Sequence, residues 1–138
     1  IRAFFPPGTR SALHCSGIGK ALLAHAPERT LRDFLRDREL TRFTPRTITD
    51  PQALIEDLAL VRARGYSLDD EERALGMRCI AAPVFDLFGE AVAGISVSGP
   101  LHRMTDDRLA AVGQEVAQAA RELSFDQAPQ GGKGAGKG

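Results

Sequence analysis

Cys79, Ser96 and Ser98 carry a thiol and two hydroxyls, and their spacing places them on one surface. The runs 78–86 and 90–100 read as two buried strands joined by a short loop at 86–89, a β-hairpin. Strand residues two apart face the same side, so Ser96 and Ser98 share a face with Gly94 and Val92. Pairing Phe85 with Glu90 sets Cys79 opposite Ser96, Met77 opposite Ser98 and Ala81 opposite Gly94. The other face holds Ile80, Ala82 and Val84 against Val97, Ile95 and Ala93. One face is apolar and filled. The other combines very small side chains with a thiol, hydroxyls and a thioether, which leaves room for a small polar ligand. A register slip of one residue destroys this division.

Other residue groups suggest chemistry and are weighed against plainer readings. The run Gly17, Ile18, Gly19, Lys20 resembles a phosphate loop but lacks its parts. A Walker loop needs glycine where His14 stands and Ser or Thr where Ala21 stands; a dinucleotide loop needs glycine where Leu22 stands. What survives is a helix start with bare N–H groups, which suits a carboxylate. Its plain alternative is an N-cap with glycines for close packing. Cys79 with Asp69, His14 and His25 could form a cysteine nucleophile, but no nucleophile motif surrounds it. A buried strand thiol is the simpler reading. His14 and Cys15 have no second pair at metal-ligand spacing. The acidic run 69–72 reads as a solvated turn.

These residues need elements to hold them. A helix opens at 16–19 and stops before Pro27, and a second short one covers 28–38. Asp50 followed by Pro51 is an N-cap with proline at the first helical position. Leu54, Ile55, Leu58 and Val61 mark that helix's buried face, Arg62 and Arg64 suit its negative end, and Gly65 ends it. Residues 66–69 read as a strand. Leu109, Val112, Val116, Ala119, Ala120 and Leu123 define an amphipathic last helix. Residues 1–5 read as a strand end, 6–9 as a turn, and 126–138, rich in Gly and Lys, as a disordered tail. The 138 residues suffice for one domain with a core. Eighteen Lys and Arg balance eighteen Asp and Glu, so the chain has no electrostatic footprint for nucleic acid or an anionic membrane. No apolar run is long enough to span a bilayer. Two cysteines and no visible signal peptide suit a reducing cytoplasm. Hairpin strands flanked by helices argue for an α+β fold with a mainly antiparallel sheet.

Five segments in this order resemble the effector-binding domain of the isocitrate lyase regulator (IclR) family of bacterial transcription factors. They are LHCSGIGKALL at 13–23, TITD at 47–50, GYSLDDEE at 65–72, GMRCIAAPV at 76–84 and ISVSGP at 95–100. The resemblance runs over residues 1–125. It implies a GAF/PAS-like α+β domain whose curved, mainly antiparallel sheet is flanked by helices. It also implies a small-molecule effector, dimers or tetramers, and DNA binding through an N-terminal winged helix-turn-helix that this sequence lacks. The match begins near Ile1, so the domain is expected to be truncated at its start. By resemblance, Gly17 and Ile18 offer backbone N–H groups to the effector. Asp69, Cys79, Ser96 and Ser98 supply polar side chains, and Met77 an apolar wall. Ile18 stands where many family members have Ala, which narrows the entrance.

The expected function is therefore a cytoplasmic sensing and oligomerisation domain for a small organic acid or related catabolite, with no catalytic residue, metal or cofactor. The alternatives are a GAF-fold thiol enzyme or redox sensor using Cys79, and a dimerisation module whose pocket is vestigial.

Overall fold

The computed structural model describes residues 12–37 and 39–125. The strand expected at 1–5, the turn at 6–9 and the tail at 126–138 lie outside them. Helix α1 (Gly17–Ala24) is followed by α2 (Glu28–Asp37) and α3 (Pro51–Arg64). Strands β1 (Ser67–Asp70), β2 (Met77–Phe85) and β3 (Ala91–Pro100) come next, and α4 (Leu109–Leu123) ends the described chain after a single 3-10 turn.

Local chemistry sets the helix ends. Asp50 accepts the Ala53 N–H at 3.0 Å, Pro51 starts α3, and Gly65 stops it at φ +91°, a left-handed conformation that costs glycine little. Leu54, Leu58 and Val61 lie one above another and are fully buried. Ile55, expected beside them, is exposed on the flank of the helix. With Leu23, Ala24 and Leu40 they form one apolar cluster. The second cluster joins the sheet to α4 through Ile80, Ala82, Ile95, Met104, Val116, Ala117 and Ala120.

The three strands form an antiparallel meander in the order β1-β2-β3. Helix α4 packs on one face of the sheet and α1 on the other. This corrects the expected architecture. The fold is α+β with an antiparallel sheet flanked by helices, but the sheet is a small open one and not the curved GAF/PAS-like sheet. Three strands with one irregularity do not supply the repeated bulges and staggered closure that curve a larger sheet.

The hairpin register also differs from the expected one. Cys79 pairs with Ser98, Ala81 with Ser96 and Met77 with Pro100, a shift of two residues. Phe85 pairs with Ala91 and not Glu90, because Asp86 accepts the Phe88 and Glu90 N–H groups at 2.9 Å and widens the loop. A bulge next to Phe85 adds the second residue. Two single shifts make an even one, so each side chain keeps its face. Ile80 meets Val97, Ala82 meets Ile95 and Val84 meets Ala93 on the α4 side.

Candidate functional site

Two rows of small and polar residues cross the sheet beneath α1. Asp69, Cys79 and Ser98 are directly paired across β1, β2 and β3. Ser67, Ala81 and Ser96 form the neighbouring row. Ser67 and Ala81 are fully buried, Asp69 is buried and Cys79 half-buried. Ser96 and Ser98 are exposed, because β3 is the last strand of the described sheet.

The start of α1 sits directly over these rows. A Cβ on Gly17 would stand 2.7 Å from the Cys79 Sγ and 3.2 Å from the Ala81 Cβ, so only glycine lets the helix come this close. The Ser67 hydroxyl donates to the Gly17 carbonyl at 2.6 Å and pins the helix to β1. Ser16 caps the helix by accepting the Gly19 N–H at 2.9 Å. The backbone of Gly17 lies against Cys79, and its N–H favours the thiolate there. That leaves the Ile18 N–H without a partner among the described residues. The Ile18 side chain lies over Gly94, with its Cγ2 3.2 Å from where a Cβ would stand, and closes one side of the face.

Electrostatics at the site favour neutral groups. Burial pushes the Cys79 thiol above its usual range; the Ser98 and Ser96 hydroxyls and the Gly17 N–H oppose this, while Asp69 adds to it. Burial likewise raises the Asp69 carboxyl, against the backbone N–H groups of Glu72 and Arg73 that its Oδ1 accepts at 2.8 and 3.3 Å. Cys15, fully buried, is pushed by burial to about 12. Neither thiol has the lowered pKa of an activated nucleophile. His14 donates its Nε2 proton to the Thr41 carbonyl at 2.8 Å and lies in the core. Among the described residues no group of three His, Cys, Asp or Glu side chains is placed to hold a metal ion.

Of the residues singled out from sequence, Gly17, Ile18, Asp69, Cys79, Ser96 and Ser98 are brought together. Met77 shares their side of β2 by alternation but stands at the strand's first residue, 41% exposed. Sequence reasoning missed Ser67. It lies two residues before Asp69, so alternation along β1 places it on the same face. It also missed the role of Lys20, whose ammonium is fully buried and donates to Asp57, Glu72 and the Leu68 carbonyl.

A sheet face of small polar residues under a capped helix start gives this α+β domain, the C-terminal module of a family of regulators, a candidate ligand face. The chain belongs to the IclR family: residues 1–125 match the family described as bacterial transcriptional regulator IclR C-terminal. It is 68% identical over 130 residues to the HTH-type transcriptional regulator BhcR of Paracoccus denitrificans, covering 94% of this chain and 47% of that protein. Its fold superposes on the Agrobacterium tumefaciens repressor BlcR with a TM-score of 0.76 at 36% identity, over 81% of this chain and 46% of that one. It also matches the inducer-binding domain of a double mutant of the transcription factor PobR from Acinetobacter, in complex with 3-hydroxybenzoic acid. There the TM-score is 0.75 at 31% identity, over 82% of this chain and 65% of that one. The chain thus spans about half the length of the curated relatives it matches. Among the described residues no helix is long and apolar enough to cross a membrane.

Proposed function

We propose that the α1 face of the sheet binds a small organic acid, and that residues 1–125 form the sensing domain of a cytoplasmic transcriptional regulator. The observation that supports this is the row Asp69, Cys79, Ser98 lying under a helix start whose Ile18 N–H has no partner among the described residues. A carboxylate accepts from that N–H and from the Ser96 and Ser98 hydroxyls, at the positive end of α1. Asp69 meets the acid's second polar group: it accepts from a hydroxyl when ionised and donates when protonated. Met77 and Ile18 bound the apolar part of the ligand. The likeness to an inducer-binding domain holding a hydroxybenzoic acid supports an acid as the ligand class. In the whole regulator, the acid favours one arrangement of a homodimer or homotetramer. It thereby resets the spacing of DNA-binding domains that lie outside this chain.

The test is a thermal-shift and calorimetry screen of two- to four-carbon oxo- and hydroxyacids together with hydroxybenzoates. A binder present at about a hundred times its Kd adds about 2.7 kcal/mol of stability. The expected result is stabilisation by at least one acid, weakened by Ser96→Ala. Binding that is indifferent to Ser96, Ser98 and Asp69 overturns the assignment of this face.

A further inference from the structure

The most deeply buried charge in the described chain lies beside this face. Lys20 is on α1, one helical turn from Gly17, and its side chain is fully enclosed. All three ammonium donors are used: Asp57 Oδ2 of α3 at 2.8 Å, the Leu68 carbonyl of β1 at 2.6 Å, and Glu72 Oε1 at 2.9 Å. Burial alone disfavours this charge, but the Glu72 and Asp57 carboxylates more than restore it. A buried ion pair is a poor source of net stability, since well-packed apolar residues do as well or better. What it fixes is geometry.

Glu72 reaches the proposed site from its other end. Its own N–H donates to Asp69 Oδ1 at 2.8 Å, its Oε2 accepts the Asp70 N–H at 3.2 Å, and its carbonyl accepts the Thr47 hydroxyl. Between Asp70 and Glu72, Glu71 is held at φ +60°, a left-handed conformation that a non-glycine residue keeps only when its surroundings fix it. One residue therefore bonds the helix start through Lys20 and the candidate carboxylate through its backbone.

We propose that Glu72, clamped by Lys20, is a positioning residue of this face that holds the Asp69 carboxylate in line with Cys79 and ties it to the start of α1. This rests on the effector-site reading for its purpose, but its geometry can be tested without any effector. The groups facing Cys79 are Asp69 from β1, the Ser96 and Ser98 hydroxyls from β3 and the Gly17 N–H from α1. Of these only Asp69 carries charge, so the thiol reports where that charge sits. Lys20, Asp70 and the Glu72 carboxylate itself are the other charges acting on Asp69.

The experiment measures the rate of iodoacetamide alkylation of Cys79 against pH in the 138-residue chain, read on the Cys79 peptide by mass spectrometry so that Cys15 does not contribute. Asp69→Asn removes the charge that disfavours the thiolate and is expected to speed alkylation at about pH 8 at least about twofold. Glu72→Gln is expected to move the rate in the same direction by at least about twofold, because a neutral amide loosens the Lys20 clamp and with it the turn whose N–H groups hold Asp69 against the thiol. Asp57→Asn neutralises another Lys20 partner without touching the turn, and is expected to keep the wild-type profile. A wild-type profile in Glu72→Gln, no change in Asp69→Asn, or a change in Asp57→Asn as large as that in Glu72→Gln overturns the proposal. If circular dichroism shows that Glu72→Gln does not fold, Glu72→Asp keeps the charge and shortens the arm. It is expected to speed alkylation likewise, and a wild-type profile there also overturns the proposal. A failed acid screen beside the expected thiol profiles refutes the effector reading and leaves the positioning intact.

Discussion

Single side chains test whether this face binds an acid. Ser96 sits on a small-residue strand face and supports no core packing, so Ser96→Ala is expected to leave denaturant stability nearly unchanged. It should weaken acid binding by about 1–3 kcal/mol in calorimetry, the range for leaving a charged acceptor one hydrogen bond short. His25 makes a different prediction. Its ring stands edge-on to Phe85 at 5.2 Å, and burial, with Arg62 next, depresses its pKa below 6.5. In the window between that depressed value and 6.5 the unfolded chain holds more protons than the folded one. The contribution is present above 6.5 and is lost as pH falls through the window. Urea titrations at about pH 7 and about pH 5 should therefore show a smaller loss of stability in His25→Gln than in the wild type; an equal loss refutes this role. At this scale the sequence was legible wherever residue type and alternation sufficed, as for Cys79, Ser96 and Ser98. Lys20 was not legible. Its partners lie 37 and 52 residues away, and no local pattern reveals that an ammonium next to Gly19 turns inward.

Elements act through their two faces. Ile95 is one residue from Ser96 but belongs to the cluster under α4, where it is 9% exposed. Ile95→Ala should cost about 2–5 kcal/mol in denaturant unfolding through the cavity it leaves, with little change in direct ligand contacts. The contrast with Ser96→Ala tests the face assignment rather than proximity to the site; a reversed result means the two faces are exchanged. The faces were readable because alternation depends only on parity. The register was not, because it depends on loop width and on the bulge beside Phe85. Those follow from Asp86 folding back on the loop, which a residue count cannot foresee. The α3 boundaries were readable because Asp50, Pro51 and Gly65 each act locally. The flank position of Ile55 was not, because which residues of a wide apolar stripe are covered depends on the neighbouring helix.

At the scale of the whole molecule, curvature was the feature that local pattern could not supply, since it depends on how many strands pair and how they stagger. What the described residues present is an edge. β3 is ten residues long, pairs with β2 on one side, and has no strand on the other among the described residues. Val97 on this strand is 45% exposed and Val92 49%. Beside it, a groove of about 490 Å³ runs between β3 and α4, lined by Val97, Met104, Val112 and Val116 and rimmed by Arg103 and Glu115. An unpaired strand edge next to uncovered apolar surface templates pairing with another chain. A second copy carries the same edge, and two copies of β3 side by side across a two-fold axis give each a partner on the side left open among the described residues. The 138-residue chain is therefore expected to self-associate at high micromolar concentration, with light scattering giving a mass above the monomer's. Val97→Lys places a charge on the strand and should shift the equilibrium toward monomer without unfolding the domain, because Val97 is only half-covered in the fold. A stable monomer in the unsubstituted chain, or an unchanged mass in the variant, shows that this edge is not what the copies share.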